Sequence, residues 1–206
     1  MDQGTEIKIL KREKIEESVE VMLTAFKGEA LTSAWLDLSD PNLKSAYSTA
    51  VKIIYTIHLD AGDPIYTALE KERVVGLAGL TTPEARKNKI KSFILFIRNL
   101  PRLLPLIPSA LRAARMLYRA TKPPAGLPKD YCTLEILAVD PGYQGRGIAS
   151  RLMEQIDRNH LGDNNYSGIY LLTGDDKNVK IYEHFGYKVV EKRVVRSINA
   201  YHMFKA

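Results

Sequence analysis

The chain has 206 residues, of which 45% are hydrophobic and 26% are charged, with 13 glycines and a single cysteine. These values exclude a mainly disordered chain, a collagen-like chain and a disulfide-stapled chain. The 30 Lys and Arg residues exceed the 24 Asp and Glu residues by six, yet ten basic residues and one acid lie between Pro83 and Lys122. The positive charge therefore belongs to one segment and needs a local explanation.

The first 80 residues predict two helices among short strands. An alternating apolar pattern predicts a first strand, and apolar residues at i, i+3 and i+4 predict amphipathic helices. Ser39 or Asp40 is expected to cap the start of the second helix, and the turn-forming sequence from Asp60 to Pro64 is expected to end it. Two further strands are separated by four polar residues, a hairpin length. The predicted strands are 7–10, 65–69 and 74–80, and the predicted helices are 13–26 and 40–59.

The basic segment predicts a helical insertion over residues 83–128, within a single domain of residues 1–206. Two helix-like stretches are expected at 89–100 and 109–118, and Pro101, Pro105 and Pro108 are expected to break the chain between them. The longest uninterrupted apolar run here is far shorter than the ~20 residues of a spanning helix.

The last third of the chain alternates strands and helices. Strands are predicted at 131–139, 168–173, 187–195 and 197–204, and helices at 148–159 and 178–185. This order predicts an α/β protein with a mixed sheet of about seven strands flanked by helices.

The most specific motif, Gln144-Gly145-Arg146-Gly147-Ile148-Ala149, lies between a strand and a helix. Glycines let the backbone approach a ligand closely, and a helix N-terminus offers unpaired N–H groups and a positive dipole end. These features predict a phosphate-binding cradle. The motif is neither a Rossmann fingerprint nor a Walker loop, since Ser150 replaces the third glycine and no Gly-Lys-Ser/Thr follows.

The sequence from Leu134 to Ala149 resembles the acetyl-CoA signature of the GCN5-related N-acetyltransferases (GNAT), whose core is Gln/Arg-x-x-Gly-x-Gly/Ala. A second block, Leu171 to Thr173 and then Asn178 to Tyr187, resembles the family's later strand and its helix ending in Tyr-x-x-x-Gly-Phe/Tyr. The two blocks occur in the family's order and spacing. The resemblance implies the GNAT fold, with the helical insertion preceding the cofactor-binding strand, and acetyl-CoA (coenzyme A) as cofactor.

The resemblance also assigns roles to residues. The strand ending at Val139 would pair its free backbone groups with pantetheine, and an N–H near Ala138 or Val139 would point at the thioester oxygen. Asn178 would bind the pantetheine arm, and the alternative for this residue is a helix cap. Tyr182 would protonate the departing thiolate. The implied cofactor-binding residues are Leu137, Ala138, Val139, Gln144, Gly145, Arg146, Gly147, Ile148, Ala149, Ser150, Asn178 and Tyr182.

An amine acceptor must lose a proton before it attacks, and Glu135 is the first candidate for the base because desolvation in an apolar strand could raise its pKa. The alternative is an ordinary solvent-facing strand residue. The base glutamate of histone-acetylating relatives would fall at Thr133, and the histidine that often opens this strand in small-amine relatives is replaced by Tyr131.

The resulting prediction is an acetyl-CoA-dependent N-acetyltransferase that acts on a primary amine, of a small molecule rather than a protein, by direct attack in a ternary complex. An acyl-CoA-binding sensor without turnover and a protein or peptide N-acetyltransferase are the alternatives. The insertion is expected to form a lid or a wall of the substrate pocket. A solvated helical hairpin, a membrane-surface contact and an acidic partner are its other interpretations.

No metal is predicted, because the four histidines (His58, His160, His184 and His202) lack metal-site spacing. Nucleic-acid binding and stable membrane insertion are not expected. A homodimer is compatible with the sequence, which does not decide the oligomeric state. The lone Cys132 and a sequence start without signal-peptide character predict the cytoplasm.

Overall fold

A computed structural model of the protein describes residues 4–84, 89–161, 166–196 and 198–206. Its centre is one seven-stranded sheet with the strand order β1-β2-β3-β4-β5-β7-β6. Every neighbouring pair is antiparallel except β4 and β5, which are parallel. The predicted mixed sheet is confirmed. The strands are β1 Glu6–Ile9, β2 Ile65–Glu70, β3 Arg73–Thr81, β4 Cys132–Val139, β5 Ile169–Thr173, β6 Lys188–Val195 and β7 Ile198–Lys205.

The helices cover both faces of this sheet. They are α1 Ile15–Ala25, α2 Ala30–Ser33, α3 Pro41–Ala61, α4 Lys89–Arg98, α5 Leu100–Leu103, α6 Ile107–Thr121, α7 Ile148–His160 and α8 Asp176–His184. Asp40 rather than Ser39 caps α3, since its carboxylate accepts hydrogen bonds from the N–H groups of Asn42 (2.8 Å) and Leu43 (3.3 Å). The four-residue helix α2 is absent from the sequence predictions because it is too short to show a period.

The core has two layers, one on each side of the sheet. On one face α7 buries Leu152, Met153 and Ile156 against the central strands. On the other face α1 and α3 bury a second apolar cluster. At the centre α7 approaches β3 closely, because a Cβ on Gly76 would lie only 2.9 Å from a methyl carbon of Ile148. Gly76 therefore sets how near the start of α7 lies to the sheet.

The two parallel strands separate halfway along their length. β4 pairs with β5 only from Cys132 to Leu134, although β4 continues to Val139. A β-bulge occurs at the same point, since Leu80 pairs with Leu134 and Gly79 pairs with Ile136, which leaves Glu135 as the extra residue. The bulge changes the alternation of side chains, so Leu134 and Leu137 share the α7 side while Ile136 packs on the α1 and α3 side.

The insertion contains more helix than the sequence analysis predicts. Residues 100–121 form α5, a 3-10 turn at Leu104–Leu106 and α6, almost without interruption. Pro101, Pro105 and Pro108 lie in the first turn of these elements, where a missing N–H costs little. The prolines therefore start helical turns here instead of breaking the chain. None of the helices in the described part of the chain is long and apolar enough to cross a membrane.

The insertion packs against the rest of the protein through one stripe of small and apolar side chains. Leu103 and Leu106 join a cluster with α3, and Ala113 and Met116 join a cluster with Ile198 of β7. Arg193 of β6 secures the end of α6 by donating hydrogen bonds to the carbonyl oxygens of Arg119 and Lys122. The insertion is thus fixed to both α3 and the β6–β7 hairpin.

Candidate active site

Two cavities meet where β4 leaves β5. The strand cavity, of about 820 Å³, lies along β4 and is closed by β5, the α1–α2 connection and the end of the insertion. The loop cavity, of about 680 Å³, lies between residues 143–150 and α8. Five residues line both cavities, so the two are continuous. These residues are Leu137, Val139, Gln144, Asn178 and Tyr182.

The loop cavity has a wall of backbone N–H groups. Gly145 and Gly147 adopt left-handed conformations (φ 76° and 74°), which L-residues adopt only at a cost. Within the described residues, the N–H groups of residues 145–150 donate to no protein acceptor, and Gly147 begins α7 without a side-chain cap. Together with the positive end of the α7 dipole, these donors form a site suited to phosphate.

The arginine of the motif lies outside the cavity that its neighbours form. The Arg146 guanidinium lies 4.7 Å from the centre of the Tyr143 ring, and its Nη1 lies 3.8 Å from a Glu70 carboxylate oxygen. Arg146 does not line the loop cavity, so only its backbone contributes to the cradle. The positively chargeable groups that do line this cavity are Lys180 and His184 of α8. Sequence reasoning missed both, although their i, i+4 spacing places them on one helix face.

The free edge of β4 exposes particular backbone groups. The Asp140 N–H donates to the Val75 carbonyl oxygen of β3 at 2.9 Å, and alternate residues of a strand face the same neighbour. By this alternation the backbone groups of Ala138 face β3, and those of Leu137 and Val139 face the opening. Gln144 Nε2 donates a hydrogen bond to the Val139 carbonyl oxygen at 3.3 Å. Of the three strand residues in the sequence prediction, Leu137 and Val139 thus offer backbone groups to a ligand, and Ala138 does not.

Tyr182 lies at the junction of the two cavities. Its ring packs edge-on against Tyr187, with centroids 5.9 Å apart. Burial, with a smaller contribution from the Glu29 carboxylate, raises the pKa of Tyr182 to about 12. The phenol is therefore protonated at neutral pH and can donate a proton to a strong base in either cavity.

The strand cavity carries an excess of acidic groups. Glu29, Glu135 and Asp175 line it, with Lys27 as a basic neighbour. Two of these acids also form hydrogen bonds with backbone N–H groups. Glu29 accepts hydrogen bonds from Leu31 (3.0 Å) and Thr32 (2.7 Å), and Asp175 accepts one from Lys177 (2.9 Å). Asp175 is therefore the cap of α8. Asn178 is not the cap, and its half-buried side chain lines both cavities.

Glu135 occupies the bulge and is solvent-exposed. The desolvation on which its sequence-based candidacy relied is therefore not present. Its position is nevertheless distinctive, because Glu135, Phe26 and Ile136 also line a third, smaller cavity of about 370 Å³ between the sheet and helices α1 and α3. The walls of that cavity are mostly apolar and include Met22, Val51, Tyr55 and Ile65.

A buried tyrosine–histidine pair supports the far wall of the strand cavity. The Tyr170 hydroxyl lies 2.6 Å from His202 Nδ1, and burial raises the pKa of Tyr170 while it lowers the pKa of His202. Burial thus favours the uncharged form of both groups, and they share one hydrogen bond. Tyr131 packs edge-on against Tyr170 at 5.7 Å. Among the described residues no cluster of His, Cys, Asp and Glu could hold a metal ion.

Comparison with known proteins agrees with this geometry. Residues 110–189 match the family model described as "Acetyltransferase (GNAT) domain". No curated protein matches the sequence.

Solved structures resemble almost the whole chain. A structure from Corynebacterium glutamicum described as histone acetyltransferase HPA2 and related acetyltransferase is 16% identical, with a TM-score of 0.66, and the match covers 98% of this chain and 96% of that one. An N-acetyltransferase from Staphylococcus aureus is 15% identical, with a TM-score of 0.57 and coverage of 97% and 99%.

The PaiA N-acetyltransferase from Thermoplasma acidophilum, solved in complex with coenzyme A, is 13% identical, with a TM-score of 0.58 and coverage of 98% and 99%. At these identities the likeness shows the fold alone, and the predicted GNAT fold is confirmed. The family-model match confirms an acetyltransferase domain over residues 110–189, and with it acetyl-CoA as the acetyl donor.

Replacing Gly147 by alanine is expected to weaken acetyl-CoA binding by about tenfold or more, because a Cβ would enter the open space of the loop cavity that the phosphates would fill. Calorimetric titration with acetyl-CoA measures this change. Gly62→Ala is the matched control, since Gly62 has nearly the same φ (78° against 74°) and a Cβ at either position meets no atom within 4 Å.

Both variants should lose a similar free energy of unfolding, about 1–2 kcal/mol, because each forces an L-residue into the left-handed region. Equal acetyl-CoA affinity in Gly147→Ala and Gly62→Ala would place the phosphates elsewhere.

Proposed function

We propose that this chain, whose residues 110–189 carry a GNAT acetyltransferase domain, moves an acetyl group from acetyl-CoA to the primary amine of a small molecule by direct attack. The observation that supports the proposal most is the continuity of the two cavities. A cradle of N–H groups suited to phosphate lies on one side of the parted strands, and an acidic cavity suited to a cationic amine lies on the other.

The residues fit acetyl-CoA along the length of the loop cavity. Gly145, Gly147 and the first N–H groups of α7, which belong to Ile148, Ala149 and Ser150, would hold the pyrophosphate. Lys180 and His184 would face the phosphates from α8. Leu137 and Val139 would bond the pantetheine through their backbone, with Asn178 contributing from α8.

Acetyl-CoA supplies a thioester, whose C–S bond breaks as the amine nitrogen forms the new C–N bond. Tyr182 would give its proton to the sulfur, since it stays protonated at neutral pH and lies where the cavities meet. Glu135 would take the proton of the ammonium group, through a water molecule because it is exposed. The N–H of Leu137 or Val139 would donate to the carbonyl oxygen of the acetyl group.

The shape of the acceptor side favours a small amine with an apolar substituent. A cationic amine placed at Glu135 would be attracted by the acidic groups of the strand cavity. Its substituent could then enter the third cavity, whose walls are mostly apolar. A peptide acceptor would instead run along the strand cavity, which makes the peptide reaction the alternative to test.

A sensor without turnover is the candidate from another functional class. A sensor would need the cradle, but it would not need a protonated phenol at the junction of the cavities. Tyr182 therefore favours catalysis over sensing. The cytoplasm and a homodimer stay predictions, and the buried Cys132 is compatible with a reducing compartment.

We expect the protein to bind acetyl-CoA and to release coenzyme A thiol only when an amine is present. Calorimetry measures the binding, and a thiol reagent measures the release against alkylamines, arylalkylamines, polyamines and peptides in the same sample. Amines with an apolar substituent should give the highest kcat/KM. Binding without thiol release on any acceptor would favour the sensor, and turnover on peptides alone would remove the small-molecule acceptor.

Replacing Tyr182 by phenylalanine is expected to lower kcat about 100-fold while acetyl-CoA affinity changes little, since only the proton donor is lost. Tyr187→Phe is the matched control. The Tyr187 hydroxyl is buried without a hydrogen-bond partner in the described residues, and Tyr187 lines neither of the two cavities. A loss of acetyl-CoA affinity at unchanged kcat would reject the acid role of Tyr182.

Replacing Glu135 by glutamine is expected to lower kcat/KM for the amine about 100-fold at neutral pH, because the proton acceptor is lost. The dependence of kcat/KM on pH should change shape, while the dissociation constant for acetyl-CoA should stay the same. Glu154→Gln on the exposed side of α7 serves as the control. An unaltered pH profile would remove Glu135 as the base.

A further inference from the structure

The outer surface of the insertion combines exposed apolar side chains with basic ones. Of the 14 exposed large hydrophobic residues in the described chain, eight lie between residues 94 and 118. This concentration exceeds the scattered single residues that are normal on a surface, and it indicates a contact site. The eight are Ile94, Phe96, Ile97, Leu100, Leu104, Ile107, Leu111 and Tyr118.

The helix α6 shows the arrangement most clearly. Its buried stripe consists of Ser109, Ala113, Met116 and Ala120. The spacing of i, i+4 and i+11 places Ile107, Leu111 and Tyr118 on the opposite side, where the latter two are 72% and 64% exposed. The α6 helix is therefore apolar on its outer line as well as on its inner one.

A stripe of arginines runs beside this outer line. Arg112, Arg115 and Arg119 follow at i, i+3 and i+7 and are all exposed, and none of them forms an ion pair with a carboxylate among the described residues. The stripe continues into a groove of about 840 Å³ between α6 and the end of β6. That groove is lined by Lys122, Arg193 and Arg196 as well, and by no acidic residue of the described part of the chain.

A lid over the acceptor does not explain this surface. Among the described residues of the insertion, only Thr121 and Pro123 at its end line the strand cavity, and the buried stripe faces α3 and β7. On α6 the exposed apolar residues lie on the side opposite this stripe. No contact within the described part of the chain covers them.

We propose that this outer face, which we call the basic face and define by Ile107, Leu111, Arg112, Arg115, Tyr118 and Arg119, docks on an anionic membrane surface. A bilayer of this kind offers both complements at once, because headgroup phosphates meet the arginines and the acyl boundary accepts the apolar side chains. Docking of this kind would determine where in the cell the enzyme is located, and it does not depend on the reaction that the enzyme catalyses.

A second copy of the chain fits the basic face less well. In a two-fold interface the same patch meets itself, so the three arginines of one copy would face those of the other. That arrangement is repulsive unless anions intervene. Charge complementarity thus favours the anionic bilayer.

The test is co-sedimentation of the full chain with sucrose-loaded vesicles. We expect binding to vesicles of phosphatidylcholine with phosphatidylglycerol, weakened by salt, and little binding to phosphatidylcholine alone. Arg115→Glu with Arg119→Glu should lower the partition coefficient roughly 30-fold or more, from the loss of about 1 kcal/mol for each cation near the surface. Leu111→Ser with Tyr118→Ser should also lower it, although the charge is unchanged.

Lys11→Glu with Arg158→Glu is the matched control. Both residues are exposed, both lie outside the basic face, and the change in net charge is the same. The partition coefficient of this variant should lie well above that of the Arg115→Glu, Arg119→Glu pair. Apart from the loss that the lower net charge causes, at least half of the binding to vesicles should remain. Equal losses in the two charge variants would show attraction by net charge alone and overturn the proposal. Acetyl-CoA binding and thermal unfolding confirm that each variant is folded.

Three other results would overturn the proposal. One is an absence of wild-type binding to anionic vesicles at low salt. Another is a dimer, seen by analytical ultracentrifugation without vesicles, that Leu111→Ser with Tyr118→Ser dissociates. The third is binding to poly-glutamate without binding to vesicles, which would assign the basic face to an acidic protein.

Discussion

The separation of β4 from β5 is the constraint on which the rest of the molecule depends. Parallel strands normally satisfy each other's backbone, yet here the pairing ends at Leu134 while β4 continues to Val139. The groups of Leu137 and Val139 that face the gap need other partners, and Gln144 supplies one for Val139. The bulge at Glu135 occurs at the point of separation, and Tyr182 lies beside the gap. The early end of the β4–β5 pairing thus opens the passage between the two cavities.

The charges of the chain are divided among three places with different tasks. In the cradle the backbone dipoles of residues 145–150 are joined by Lys180 and His184 of α8, whereas the Arg146 guanidinium lies on Tyr143 outside it. Carboxylates collect on the acceptor side of the gap. Three exposed arginines of α6, Arg112, Arg115 and Arg119, lie on the outer face of the insertion, away from both cavities. This division explains how a protein of net charge +6 can present an acidic site to a cationic amine.

Sequence reasoning was most successful where a period or a motif determines structure locally. The strand and helix order, the glycine turn before α7 and the start of α7 at Ile148 agree with the structure. The bulge was not predictable, because a single extra residue leaves the apolar run from Leu134 to Val139 unchanged in composition. The sequence predicts the prolines of the insertion as breaks, because a sequence does not show whether a proline lies inside a helix or in its first turn. Lys180 and His184 were missed because the fold brings α8 to the loop.

The extra residue in β4 affects the course of the strand and not its register. A deletion at position 135 would restore regular pleating and leave residues 136–139 in place, because Leu134 and Ile136 already lie on opposite sides of the sheet and pair with the consecutive residues Leu80 and Gly79. The deletion would remove the bend and the added twist that a bulge gives a strand, at the point where β4 leaves β5. The inserted residue is therefore dispensable for strand pairing, and its consequence is the direction in which Leu137 and Val139 run past the gap.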